Sequence, residues 1–487
     1  MTSHENFVVA VELGSSKVTA VAGVKQPDGA VRVITAAQEP SEAFIRKGRI
    51  YNIDKLALCI GRIKERLEKG VGNMSVAKAY VGIGGMGMHS VLNTITKNFP
   101  ERVKVTDEMV DMIQDENSAS QPADRDIIGV VPQEYRLGLQ KTTEPVGILT
   151  QSVKASFLNI VAPAQTKQQV ADNFAHCRVE VVDLPVTFLA VAGNMVSERD
   201  RQSGCVFVDM GAQTTSVAIY KSGILRHLAV IPLGGANITT DIATAYQIDE
   251  PEAEEIKLKY NFAIEDIDEE DKEMFTTSDG RVFPVNDLKK LVSARLEEII
   301  ANVLNQIDRS GYTATQLVSG ILLTGGVAQT RNIERAFELI THIPKVKLVR
   351  SLNLQYRTGK QDFNADGSFN GVISLVEQGT ENCCGGPVSQ AKELFDLEEQ
   401  QQKAAEEAAA RAAAAAEQAP AEPAPATPEA ATPREGRISG GDIAADAPAQ
   451  PEETETKPKQ PSAFKKKFSG LGSWVKKNLT TLLSEDD

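Results

Sequence analysis

Apolar and polar positions divide the chain into a long mixed stretch, a polar stretch and a short apolar return. Dense apolar runs at 7–12, 17–24 and 205–209, each bounded by small or polar residues, predict buried strands. Over 55–68 the period becomes helical, with Leu56, Cys59, Ile60, Ile63 and Leu67 on one face, and 288–307 repeats the pattern. Residues 88–97 alternate and predict a strand. Interleaved strands and helices to about residue 385 predict a globular α/β segment. From about 388 large apolar residues nearly vanish: the chain is Ala- and Glu-rich to about 417, then rich in Pro, Ala, Glu and Thr to about 461. Such a composition buries too little to offset chain entropy, so 388–461 reads as a disordered linker, with a helical start at 393–411 allowed by its Ala, Glu and Gln.

The last stretch, 462–487, reverses the trend. Phe464, Phe468, Leu471, Val475, Leu479 and Leu482 recur at steps of 4, 3, 4, 4 and 3, flanked by Trp474 and Leu483. At helical pitch they share one narrow face, with Lys465, Lys466, Lys476 and Lys477 on the other side. An amphipathic stripe usually covers a core, but a linker separates this one from any core of its own. It therefore predicts a helix that binds a membrane surface or a partner; on an anionic membrane its lysines would be attracted to the lipid.

Composition narrows the possibilities. A chain of 487 residues has room for more than one core, and a net charge of −14 argues against broad nucleic-acid binding. Cys59, Cys177, Cys205, Cys383 and Cys384 show no C-x2-C spacing, which fits a reducing cytoplasm better than a disulfide scaffold or zinc site. The N-terminus lacks the basic start and apolar run of a signal peptide, and no apolar run approaches spanning length. Membrane contact is expected to be peripheral.

An internal echo carries the chemistry. Val8-Val9-Ala10-Val11-Glu12-Leu13-Gly14-Ser15-Ser16 is matched by Val206-Phe207-Val208-Asp209-Met210-Gly211-Ala212-Gln213-Thr214-Thr215. Each is a buried strand, an acid, an apolar residue, a glycine and small polar residues. Small residues let backbone amides approach phosphate oxygens, and the strand-end acids Glu12 and Asp209 suit magnesium held through water. Either hairpin alone is an ordinary tight turn; the ordered pair predicts two loops clamping one nucleotide tail. A third element, 320–328, is an apolar strand ending in Gly325-Gly326, which permits close approach of a ring or phosphate. Glu254 and Lys257 stand at i and i+3 of a helical stretch, a spacing that usually means a solvated ion pair.

Other signals are weaker. Gly82-Ile83-Gly84-Gly85-Met86-Gly87 has the written form of a dinucleotide fingerprint, but a strand rather than a helix is predicted after it, so it reads as a turn. No G-x-x-x-x-G-K-[ST] occurs, the five histidines are isolated, and the acidic run 265–273 lacks the spacing of a calcium loop.

Taken with the stretches Val130-Val131-Pro132-Gln133-Glu134-Tyr135, Pro145-Val146-Gly147, Leu225-Arg226-His227, Ile231-Pro232 and 320–329, the chain resembles the actin, Hsp70 and sugar-kinase superfamily, and within it the FtsA family of cell-division proteins. The resemblance spans roughly 6–385, and the terminal helix after a variable linker matches as well. It implies an α/β, actin-like two-lobed ATPase fold with an inserted subdomain, a disordered linker and a C-terminal amphipathic helix. The expected boundaries are 1–82 and 163–203 for the first lobe, 83–162 for the insert, 204–387 for the second lobe, 388–461 for the linker and 462–487 for the helix.

For the site it implies ATP with Mg2+. Gly14, Ser15, Ser16 and Lys17 would form one phosphate loop and Asp209, Gly211, Gln213, Thr214 and Thr215 the other. Gly325 and Gly326 would line the adenosine, Glu254 and Lys257 its base and ribose, and Gly234 and Gly235 the opposite edge. It further implies polymerisation with itself and tethering of FtsZ filaments, through their C-terminal peptide, to the cytoplasmic face of the inner membrane at the division site. Later division proteins would dock on the insert. Arg295 is a candidate contact for the acidic peptide, against the alternative that it pairs with Glu298 on its own helix. The second loop departs from the superfamily's Asp-x-Gly-Gly-Gly-Thr, since Ala212, Gln213 and Ser216 replace two glycines and an acid. That favours nucleotide binding with at most weak hydrolysis. A soluble kinase of the superfamily and a pilus-assembly adaptor are the rival readings.

Overall fold

The computed structural model describes residues 6–120, 122–263, 273–359, 363 and 366–389. The linker from 390 on, the helical start at 393–411, the terminal helix at 462–487 and all but Glu273 of the acidic run lie outside the described residues.

Strands Phe7–Leu13, Lys17–Lys25 and Val31–Pro40 form an antiparallel meander, and Lys78–Gly82 and then Glu180–Asp183 add in parallel beside the first of them. The second half repeats this arrangement. Cys205–Met210, Thr215–Lys221 and Ile224–Ile231 form the meander, and Gly320–Thr324 and Val346–Leu348 add in parallel. The echo seen along the chain is thus a repeat of topology. Its central strands are buried almost throughout, because helices cover the faces of both sheets. In each, burial lapses at one inner position, Glu12 or Asp209, the residue before the strand's last.

Helix Ile53–Gly70 shows how the local sequence sets an element. Asn52 caps it by accepting from the Lys55 amide at 2.9 Å, and the expected apolar face is buried. Glu68 joins that face because its carboxylate accepts from the Val76 amide at 3.0 Å. Val285–Ser310, the other expected helix, buries Leu288, Val292, Leu296, Ile299, Ile300, Val303 and Ile307 in the second core.

The insert consists of long antiparallel strands His89–Lys104, Arg125–Leu137 and Leu149–Pro163 with helix Asp107–Ala119. Val105, Ile113, Tyr135, Leu137, Val153, Ala155 and Phe157 give it a small core of its own. Asn117 and Asn159 exchange side-chain hydrogen bonds of 2.7 and 3.1 Å, which satisfies buried amides and fixes helix to sheet. A single pairing of His89 with Ala229 joins the insert to the second sheet, making one nine-stranded sheet.

One expected boundary fails. The second lobe does not run to 387, because the chain returns to the first lobe earlier. Tyr356–Arg357 pairs with Val31 and Arg32 of the first sheet, and Cys384 pairs with Val76. Helix Asn370–Gln378 buries Val372, Ile373, Leu375 and Val376 in the first core. Apolar periodicity specifies that this helix is buried, but not which sheet it covers.

The two halves also meet through stacked rings: Phe188, on helix Thr187–Met195, lies 5.3 Å from Phe207 of the second central strand, with an 11° interplanar angle. Phe207 is fully buried. Phe207→Ala should therefore cost about 3–5 kcal/mol of stability. Urea unfolding of the two proteins checks this, and a loss under about 1 kcal/mol would show that the site collapses around the gap.

Candidate nucleotide site

Both hairpins turn at the same register. Leu13 pairs with Val18 and Met210 with Thr215, so 14–17 and 211–214 form the two loops. In the first, a Cβ on Gly14 would lie 2.6 Å from the Lys17 carbonyl oxygen, so glycine is required there. Ser41 Oγ donates to the Gly14 carbonyl at 2.6 Å, and Ser15 Oγ accepts from the Gly48 amide at 2.8 Å. In the second, the Gly211 amide donates to the Thr214 carbonyl at 2.9 Å, and buried Thr215 donates to the Leu233 carbonyl at 2.9 Å.

Helix Gly235–Tyr246 fastens the second loop from behind. The amides of Gly235 and Ala236, in its first turn, donate to the carbonyls of Gly211 and Ala212 at 3.1 and 2.6 Å. These are amides that a helix N-terminus leaves without an internal partner, and here they position a loop. A Cβ on Gly234 would stand 2.5 Å from the Gly211 carbonyl oxygen, so only glycine lets helix and loop meet.

The remaining wall has two parts. Gly325, at φ +94°, sits so close over the end of the second central strand that a Cβ would lie 2.4 Å from Asp209 Oδ1. A Cβ on Gly326 would meet nothing within 4 Å. Lys257 Nζ lies 2.6 Å from Glu254 Oε2, 2.9 Å from Thr239 Oγ1 and 3.2 Å from the Gly235 carbonyl, with its side chain only 15% exposed. The pair expected to be solvated is therefore part of a polar cluster packed on the helix start. A Cβ on Gly235 would come within 3.0 Å of Val327 and 3.5 Å of Lys257 Nζ, which brings Gly235, Lys257 and the segment after Gly326 together.

Glu12 and Asp209 approach across the cleft floor. Burial, then the charge of Asp209, raises the Glu12 carboxyl to about 7 against the smaller opposing effect of Lys17, and burial raises Asp209 to about 6. Glu12 is also hemmed in from behind, since a Cβ on Gly371 would lie 2.3 Å from its Oε2. No group of three or more His, Cys, Asp or Glu able to hold a metal occurs among the described residues. Two carboxyl groups beside the two small-residue hairpin loops nevertheless fit magnesium, which keeps several waters and would take its other ligands from phosphate.

The fingerprint-like run at 82–87 finds its place here. Gly82 pairs with Glu12 as Thr324 pairs with Asp209, so Gly84 and Gly85 come after the first parallel strand much as Gly325 and Gly326 come after the second. In the first half the chain then enters a strand, His89–Lys104, rather than a helix.

Known proteins match this arrangement. The model of cell-division protein FtsA matches residues 206–373, and that of the SHS2 domain inserted in FtsA matches 85–161. Cell division protein FtsA of Porphyromonas gingivalis is 29% identical over 346 residues, covering 70% of this chain and 72% of that protein. Its Escherichia coli counterpart is 26% identical over 404 residues, covering 80% and 94%. The chain belongs to the FtsA family. It is a division protein of α/β, actin-like fold with an SHS2 insert. Among solved structures, a PilM–PilN type IV pilus biogenesis complex is 15% identical, with a TM-score of 0.53 over 77% of this chain and 98% of that one, a likeness of fold.

Within this family fold, the residues singled out for phosphate, Gly14 to Lys17 and Asp209 to Thr215, lie on the two facing hairpins. Gly234, Gly235, Glu254, Lys257, Gly325 and Gly326 gather on the second lobe's side of the cleft. Arg295 lies apart from them. Its Nε and Nη2 donate to Asp241 at 2.6 and 2.8 Å, and its Nη1 also binds Glu298. The Glu298 pairing expected as the alternative is present, whereas the bidentate partner Asp241, 54 residues away in sequence, has no local signal. Thr239, Lys47 and Gly371 also escape sequence reasoning. Each acts through a contact distant in sequence, and none lies in a motif.

The raised carboxyls set a pH dependence. Folded Glu12 and Asp209 hold protons that the unfolded chain has released, so stability without ligand should fall as pH rises from about 4 to about 7. Glu12→Gln should melt above the parent at about pH 8 and near it at about pH 4. Melting curves at both pH values check this; an equal shift at both would show that Glu12 is not held protonated by its surroundings.

Proposed function

We propose that the chain binds ATP with Mg2+ between the two hairpins, polymerises, and tethers FtsZ filaments to the cytoplasmic face of the inner membrane at the division septum. The observation that carries the nucleotide reading is the pairing of two topologically equivalent hairpins across a floor of two acids, Glu12 and Asp209. Gly14, Ser15, Ser16 and Lys17 would hold one side of the phosphates and Gly211, Gln213, Thr214 and Thr215 the other. Gly325, Gly326, Glu254, Lys257, Gly234 and Gly235 would hold the nucleoside. Bound magnesium supplies charge neutralisation for the phosphates. Glu12 and Asp209 would orient its waters, and that requires both to be deprotonated, so metal binding opposes the proton affinity their burial creates.

Ala212 and Gln213 stand where the superfamily's glycines let phosphate approach, and Gln213 accepts a hydrogen bond from the Lys47 amide at 2.7 Å. That supports binding with slow hydrolysis. The FtsA family models favour the division reading over a pilus adaptor or a kinase, since the pilus-complex likeness is one of fold alone.

The remaining roles rest on the family and the sequence. The C-terminal helix, with Phe464, Phe468, Leu471, Trp474, Val475, Leu479, Leu482 and Leu483 on its apolar side, would anchor the chain. No described helix is long and apolar enough to cross a membrane, so a surface helix suits the anchoring role. One such helix binds reversibly, and an array on a filament binds far more firmly. The insert would receive later division proteins. The acidic FtsZ peptide would have to share Arg295 with Asp241 and Glu298 or bind beside it.

Co-sedimentation with anionic vesicles tests the anchoring, comparing the full chain with one ending at Ser462. The full chain should pellet, more so with MgATP, and the shortened chain should lose at least about tenfold in bound fraction. If both stay in solution under all conditions, the tail is no anchor, and the tether must rest on a protein partner.

A further inference from the structure

The short strands Ile45–Arg46 and Arg49–Ile50 pair around a turn, Lys47-Gly48, whose residues both have positive φ, 50° and 73°. This turn touches both phosphate-loop candidates and the root of the insert. The Lys47 amide donates to Gln213 Oε1 at 2.7 Å, and the Gly48 amide donates to Ser15 Oγ at 2.8 Å. The Lys47 carbonyl accepts from the Met86 amide at 2.7 Å. Gly48 and Gly85 are pressed together: a Cβ on Gly48 would lie 2.4 Å from Gly85 Cα, and one on Gly85 would lie 2.6 Å from Gly48 Cα. Three residues after Gly85, the Met88 carbonyl accepts from the Val230 amide at 3.2 Å, and the insert's first strand begins at His89. On one side the contact borders a pocket lined by Arg49, Ile83, Met86, Met88, Pro163 and Thr166, so the turn is not packed solid there.

We propose that the Lys47-Gly48 turn is a mechanical link through which occupancy of the cleft sets the position of the inserted subdomain. The inference rests on the nucleotide reading above. Ser15 Oγ and Gln213 Oε1 are the acceptors that hold the turn amides. Phosphate oxygens entering between the loops would draw the Ser15 hydroxyl proton and the Gln213 Nε2–H, and the side chains that swing to donate them no longer offer Oγ and Oε1 to the turn. When they turn toward the ligand, the turn is released or re-seated. Its carbonyl and its backbone contact with Gly85 carry that shift to residues 84–89. The contacts use backbone atoms of the turn, so the link depends on the shape of Gly48 and Gly85 rather than on the Lys47 side chain.

The test tracks amide hydrogen exchange over 84–92 in the full chain while MgATP is titrated, with binding measured on the same samples by a fluorescent ATP analogue. In the unaltered chain, exchange there should change about fivefold with the midpoint of binding. Gly85→Ala, which cannot keep the close contact, should bind nucleotide within about threefold of the parent yet lose most of the exchange response. Lys47→Gly keeps both backbone hydrogen-bonding groups and should retain the response. If Gly85→Ala does not fold, Met86→Pro, which deletes the amide that donates to Lys47, takes its place with the same expectation. A full response in folded Gly85→Ala, or in Met86→Pro in its place, would overturn the link. Nucleotide binding without any response in the unaltered chain would overturn the link alone. Absence of binding in the unaltered chain would overturn the nucleotide reading and the link with it.

Discussion

Two carboxyl groups, Glu12 and Asp209, stand near enough across one cleft for the charge of Asp209 to act on Glu12, each near the end of a central strand buried on both faces. Burial where water is scarce disfavours the charge on each, and for Glu12 the charge of Asp209 adds to it, so each group holds its proton more tightly than it would in water. That cost persists only because the surrounding packing leaves neither acid another place. Gly371 has no Cβ to displace Glu12, and Gly325 closes over Asp209 within van der Waals reach. A doubly charged cation and the phosphates it accompanies would relieve this strain. Such a cost is a reason for a fold to keep the pair only if a ligand repays it, as the proposed nucleotide and metal would.

The duplicated topology explains why the acids face each other. Each half is a three-stranded meander with two parallel strands added beside the first, and the acid precedes the last residue of the first strand in both. Ligands in α/β sheets gather beyond the strand ends, so two such sheets place their loops in one crevice. The halves differ in the segment that succeeds the first parallel strand. In the second half it is a Gly pair and then a short helical turn; in the first it is a Gly pair and then the long strand of the insert. The insert therefore springs from the pseudo-equivalent of the Gly325-Gly326 loop, and this is why its root lies beside the cleft.

Close backbone contacts hold the cleft together more than long side chains do. Gly234 against Gly211 and Ala212, and Gly48 against Gly85, bring main chains nearer than any Cβ would permit. The polar groups bound there are largely amides and carbonyls. Such contacts are stiff and have few alternative geometries, so a small displacement of a loop is passed on rather than absorbed.

Much was legible in the sequence because it is local. The apolar face of helix Ile53–Gly70, the two strand–acid–glycine hairpins and the Gly pair after Gly320–Thr324 are patterns of a few neighbouring residues, set by hydrogen-bond period and steric need. The polar, Ala- and Pro-rich composition beyond 388 is equally a property of the chain itself. Contacts distant in sequence were not legible. Helix Asn370–Gln378 returns to the first sheet, Asp241 takes Arg295, and Gln213 reaches Lys47 across 166 residues. An apolar stripe fixes that a face will be buried, and a charge or amide fixes that it will want a partner. Which sheet covers the stripe, and which group meets the charge, is decided only by tertiary packing, within the second half for Arg295 and Asp241 and between the halves for Gln213 and the returning helix.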